Sequence, residues 1–174
     1  MKTALLSLGT LIAASLAARP AVAQGPSDPQ IAAIVVAANQ VDIDAARLAP
    51  TRAAAADVKA FAQQMITDHS AVNAAAVRLV TKLHVTPEPN ATSRQLTDGG
   101  AANRKALAPL RGAAFDKAYI DNEVAYHQAV LDAIDQTLIP NAKNAELKAL
   151  LEQTRPAIAA HLEHAKQLQA SLKG

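Results

Sequence analysis

The chain has 174 residues, 51% of them hydrophobic and only 2% aromatic, with 17 Lys+Arg against 15 Asp+Glu and a pI near 9.0. With no basic run and almost no aromatic side chains to stack on bases, both halves of a nucleic-acid surface are missing, which excludes nucleic acid as a partner. Cysteine is absent, which excludes a disulfide framework, thiol chemistry and a lipidated N-terminal cysteine, and leaves helix packing as the source of stability.

The chain opens with Lys2, an apolar stretch over residues 4–18 and then Arg19-Pro20-Ala21-Val22-Ala23-Gln24, the plan of a secretory signal peptide with cleavage expected after Ala23. That stretch is well short of the roughly 20 residues of a membrane span, and no later segment comes closer. Cleavage would remove Lys2 and Arg19, bringing Lys+Arg from 17 to 15, equal to the 15 Asp+Glu. It would leave residues 24–174 as a single domain of one ordinary core. The expected location is periplasmic or secreted, with association at the outer membrane left open.

Four long helices are predicted from the apolar spacing. Residues 28–48 form the first and allow two registers: Ile31, Val35, Ala38, Asp42, Ala45, Ala49, or the purely apolar Ile34, Ala38, Val41, Ala45, Leu48. Only the first buries Asp42. The second helix, 57–83, has the seam Val58, Ala62, Met65, His69, Val72, Ala76, Leu79, Leu83, alternating four and three apart as in a coiled coil. Residues 86–111 carry Pro87, Pro89, Gly99-Gly100 and Pro109 and read as a long connection with room for one short helix. The third helix, 113–138, has the seam Ile120, Val124, His127, Leu131, Ile134, Leu138. The fourth, 144–172, repeats it with Leu147, Leu151, Thr154, Ile158, His161, Ala165, Leu168, Leu172, and Pro156 is expected to kink it. Two helical hairpins joined by one long crossover is the wiring of an all-α, ferritin-like four-helix bundle.

Each of the last three seams is interrupted by a histidine. His69, His127 and His161 lie near the middles of their helices, so at 1.5 Å per residue their heights agree to within roughly 5 Å. Asp42 completes the layer if its register is the buried one. Three imidazoles and a carboxylate converging from four helices suit Zn or a transition metal such as Cu, Fe or Mn. The same layer can equally be a hydrogen-bonded polar network that specifies the core, because a buried imidazole without partners costs stability. Asp68, Glu123 and His164 are the nearby groups able to orient an imidazole by accepting its second N–H. His84, at the end of the second helix, reads as a cation near the helix dipole and is left out of the site.

Several chemistries lack their central part. No Glu-x-x-His motif occurs, the nearest arrangement being Glu123-x-x-x-His127, so a di-iron carboxylate oxidase is unsupported. A nucleophile elbow and a glycine-rich phosphate loop are also missing. With no catalytic set complete, the chain is expected not to be an enzyme.

The run Val58-Lys59-Ala60-Phe61-Ala62-Gln63-Gln64-Met65-Ile66-Thr67-Asp68-His69, then Phe115-Asp116-Lys117-Ala118-Tyr119 with His127, and Pro156 followed by His161, resembles a family of exported ferritin-like bacterial proteins known as domain of unknown function 4142, often described only as outer membrane proteins. The resemblance covers residues 31–168. It implies a ferritin-like fold and an exported location, and it makes the three histidines family-typical. One departure is Asp42, where the family usually carries the longer Glu. The resemblance also suggests that Asp116 and Tyr119 support the third helix, the tyrosine hydroxyl needing a partner.

The functional expectation is therefore a metal-binding bundle with His69, His127, His161 and Asp42 as ligands, serving metal handling or stress defence. The alternative is a non-catalytic structural or interaction bundle whose histidines hold the core, with association into a homo-oligomer left open. In a metal-free layer, protonation of three close imidazoles below about pH 6 is expected to loosen the fold.

Overall fold

The computed structural model describes residues 25–172, so the predicted signal peptide and its cleavage site lie outside the described residues. The order is α1 (Asp28–Ala46), α2 (Ala49–Arg52), α3 (Ala56–Lys82), α4 (Ala91–Leu107), α5 (Ala113–Ala133), a π-helical stretch (Ile134–Leu138), α6 (Ile139–Asn141) and α7 (Ala145–Ser171). There is no strand among the described residues. The chain is an all-α helical bundle whose four predicted helices correspond to α1, α3, α5 and α7.

Each start has a local cause. The Ser27 N–H donates to Gln30 Oε1, closing the first turn of α1 (3.1 Å). Asn144 accepts from the N–H groups of Glu146 and Leu147 to start α7. The Asp28 carboxylate, on the first turn of α1, accepts from the backbone of Lys143 and Asn144, tying one end of the bundle together. At the other end the buried Asp116 carboxylate accepts from Ala54 and Ala55, the residues leading into α3. Gly112 precedes α5 with φ +62°, a conformation open to glycine, while its N–H donates to Arg52 O at 2.8 Å. His84, just past α3, is the non-glycine residue in the left-handed region (φ 53°) that turns the chain out of the helix.

The crossover departs from the expectation of a short helix, because α4 is 17 residues long. Asn90 and Ser93 cap each other at its start, and Asn90 Nδ2 donates to Gln30 O while Arg104 pairs with Asp44, so α4 runs parallel to α1 along its length. It therefore carries the chain back from the end of α3 to the start of α5, leaving α3 and α5 parallel, as a single long crossover requires. Gly100 permits this approach: a Cβ there would sit 2.6 Å from both Val41 methyls.

The two proline effects differ. Pro140 cannot donate and its ring crowds the carbonyl four residues back, and the preceding residues widen into the π-helical stretch. Pro156 sits at an exposed position inside α7, whose helix runs uninterrupted through it to Ser171.

Two apolar clusters fill the bundle on either side of its middle. One gathers Val58, Phe61, Met65, Phe115, Tyr119, Ile120 and Ala165, with Phe115 stacked on Tyr119 at 5.6 Å. The other gathers Ile31, Ile34, Ile134, Leu138, Leu147, Leu151 and Ile158. Between them lies a polar layer.

Adjacent glycines on α4 give a test of opposite sign. Gly100→Ala should destabilise by about 1–3 kcal/mol through overpacking on Val41, with Val41→Ala restoring part of the loss. Gly99→Ala, whose Cβ meets nothing within 4 Å, should stabilise by about 0.5–1 kcal/mol from helix propensity alone. Urea unfolding of the variants decides it; equal effects at both positions would contradict the close approach of α4 to α1.

Candidate metal centre

The polar layer draws five residues from four helices of the bundle: Asp42 from α1, His69 from α3, Glu123 and His127 from α5, and His161 from α7. All five are buried, none more than 4% exposed. The register of α1 that buries Asp42 is the one adopted, while the adjacent face, at Val41, packs against α4. The three imidazole rings form a near-equilateral triangle, with centroids 5.6 Å (His69 to His127), 5.4 Å (His69 to His161) and 5.4 Å (His127 to His161) apart.

Each ring uses one nitrogen on an outer partner. His69 Nδ1 lies 2.7 Å from Asn39 Oδ1, and Asn39 is itself held by donating to Asn73 Oδ1. His127 Nδ1 lies 3.1 Å from the Glu123 backbone carbonyl and 3.3 Å from its side-chain Oε2. His161 Nε2 lies 2.9 Å from Asp68 Oδ2. The other nitrogen of each ring, His69 Nε2, His127 Nε2 and His161 Nδ1, has no hydrogen-bond partner. Outer acceptors fix the tautomer, so the remaining nitrogens are left as lone pairs inside the layer.

Asp42 is close to two of those lone pairs, its Oδ2 standing 2.9 Å from His69 Nε2 and 3.4 Å from His127 Nε2, without hydrogen-bonding alignment. Both Asp42 oxygens and both Glu123 oxygens are also unpartnered. Of nine such buried side-chain atoms among the described residues, seven belong to this layer. An unpaired buried polar atom costs about 1–3 kcal/mol, so seven in one place demand either protons shared between them or a cation. One ligand atom each from His69, His127 and His161, and likewise from Asp42, Glu123 and His127, fall within 4.8 Å of one another. Ligands about 2.1 Å from a common tetrahedral ion stand about 3.4 Å apart, so shifts of about an ångström would close either group on a cation.

The electrostatics follow from burial. Burial pushes the Glu123 carboxyl up to about 7, helped by the neighbouring Asp42 charge and opposed by the close His127 ring. Burial disfavours the His127 imidazolium, yet Glu123 and Asp42 outweigh it and raise that ring above its usual value. His161 is lowered, by burial first, against the pull of Asp68. The phenols of Tyr119 and Tyr126 are raised by burial and stay neutral, and Tyr126 donates to Ala38 O at 2.9 Å.

The predicted supporting residues separate. Asp68 holds His161 from a partly exposed position, and Glu123, read from its spacing as a neighbour of the seam, lies fully buried within the layer. The His164 ring packs edge-on to Phe61 at 5.2 Å. Tyr119 is fully buried with its hydroxyl unpartnered, contrary to the expectation of a partner, and rests on Phe115 and Phe61 instead. Asn39, which sequence reasoning missed, had one signal: it lies three residues before Asp42, on the same side of α1.

With this geometry in hand, residues 12–168 match the family model described as Domain of unknown function (DUF4142), and the chain belongs to that family. No curated protein and no solved structure matches the chain.

The shifts set a pH dependence for the metal-free protein that differs from simple acid loosening. Glu123 binds its proton more tightly folded than unfolded, so its contribution is fully present below about pH 4.5 and is lost as pH rises to about 7. His127, also raised, loses its contribution over a range ending above its unfolded value, whereas His161, lowered, favours the fold as pH rises toward 6.5. Glu123→Gln should therefore stabilise the metal-free protein at pH 8 by on the order of 2–3 kcal/mol, the gain shrinking toward pH 5. Chemical denaturation across that range reads this directly, and a pH-independent difference would show that Glu123 carries no buried charge.

Proposed function

We propose that this protein is an exported metal-binding helical bundle, with His69 Nε2, His127 Nε2, His161 Nδ1 and an Asp42 oxygen as ligands, serving metal handling or stress defence. The observation that carries this reading is the division of labour on each imidazole: the outer nitrogen is tied to Asn39, to Glu123 or to Asp68, while the inner one is unpartnered. A purely structural network would use both nitrogens, because each lone pair left bare in a low-dielectric core is a cost with no return. Three imidazoles and one carboxylate form a borderline ligand set that suits Zn, Cu, Fe or Mn.

Export follows from the N-terminal pattern of the sequence and from no structural feature. No helix among the described residues is long and apolar enough to cross a membrane. The interaction reading would be favoured by a broad apolar stripe on the outer helix faces, whereas the large hydrophobic residue found exposed among those described is the isolated Val77.

Metal content of the purified protein after loading with Zn, Cu, Fe or Mn in turn tests the reading. About one equivalent should remain after exhaustive dialysis, and none in the His69→Ala/His127→Ala/His161→Ala variant; failure to retain any of the four metals would sink it. Asn39→Ala, which frees the outer nitrogen of His69 without touching a ligand, should weaken affinity about 10- to 100-fold.

A further inference from the structure

Next to the layer lies a pocket of about 160 Å³ lined almost wholly by aliphatic side chains, among them Ile34, Val72, Leu96, Val130, Ile134 and Ile158. Its position follows from helix direction. Val72 is three residues after His69, Val130 three after His127, Ile158 three before His161, and Asn39 three before Asp42. Since α1 and α7 run opposite to α3 and α5, all four lie one turn from the layer on the same side of it. The pocket thus lies one turn from the imidazole layer along the bundle, and Asn39, which holds His69, is the lining residue that links the two.

Its other walls are unusual for a bundle core. Ile134 and Leu138 reach it from the π-helical stretch, where the widened turn sets the side chains out of the ordinary register, and such stretches recur at functional sites. Thr92 on α4 and Ala129 on α5 are its exposed lining residues, which puts the mouth between those helices, beside Tyr126. An apolar chamber of about 150 Å³ has nothing to offer water and takes up benzene or xenon.

We propose that this chamber binds a small apolar molecule, about the size of one benzene ring, and holds it one helical turn from the histidine layer. Binding itself needs only the chamber. The influence of the guest on a metal, through Asn39 and His69, rests on the reading of the layer given above.

Benzene titrated calorimetrically into the metal-free protein tests the chamber independently of any metal. Saturable one-to-one binding is expected, weakened at least tenfold in Val130→Phe, whose ring fills the space; heat that does not saturate, or unchanged affinity in the folded variant, overturns the proposal. Naphthalene, too large for the volume, gives a second reading that needs no variant. It should bind at least tenfold more weakly than benzene, and equal affinity would mean loose adsorption and overturn the proposal. In cobalt(II)-loaded protein, benzene should shift the visible spectrum through Asn39 and His69, and an unchanged spectrum would overturn that link. If no metal loads but benzene saturates, the chamber stands and the metal reading alone falls.

Discussion

A carboxylate buried in the middle of α1 is the constraint around which the bundle is organised. Asp42 is 1% exposed, and the ion-pair distances recorded for it run to His69 and His127 rather than to any lysine or arginine. Adding Glu123, fully buried one helical turn before His127, makes the concentration of negative charge in the core untenable without protons or a cation. The imidazoles supply one answer and a bound metal a better one. Every supporting contact, from the Asn73–Asn39–His69 chain to the Asp68–His161 pair, fixes how those imidazoles are turned.

Packing on either side of the layer keeps it in place. The cluster around Phe61, Phe115 and Tyr119 fills one half, and Asp116 clamps its end by capping the approach to α3. The other half is the cluster around Ile31, Ile134 and Leu151, clamped by Asp28 across to the start of α7. The second half is the less completely filled, since the apolar chamber lies there, bounded by the π-helical stretch that Pro140 ends. Stability and openness are therefore divided between the two ends of one bundle.

Much of this was legible in the sequence, because apolar periodicity reports which face of a helix is buried. The seams through His69, His127 and His161 are the ones observed, and the shared height of the histidines followed from counting residues. What periodicity cannot report is which second helix covers the far side. The choice between the two registers of α1 depended on α4, and α4 was hidden by Gly99-Gly100, a pair that reads as a helix breaker although Gly100 serves to let Val41 approach. Glu123 was legible as a group able to orient His127 from its spacing of four, but its full burial within the layer was not, because charge normally seeks water. Asn39 escaped notice because a lone amide beside a seam has no pattern until the ring it holds is known.

Where a metal sits decides whether the imidazole layer is a binding site. Crystals of metal-loaded protein, with diffraction recorded on either side of the metal's absorption edge, would locate it without assumption. The predicted result is one anomalous peak inside the imidazole triangle, within about 2.0–2.2 Å of His69 Nε2, His127 Nε2, His161 Nδ1 and an Asp42 oxygen. A peak at the surface instead, or none in the layer with the imidazoles bonded to one another, would contradict it.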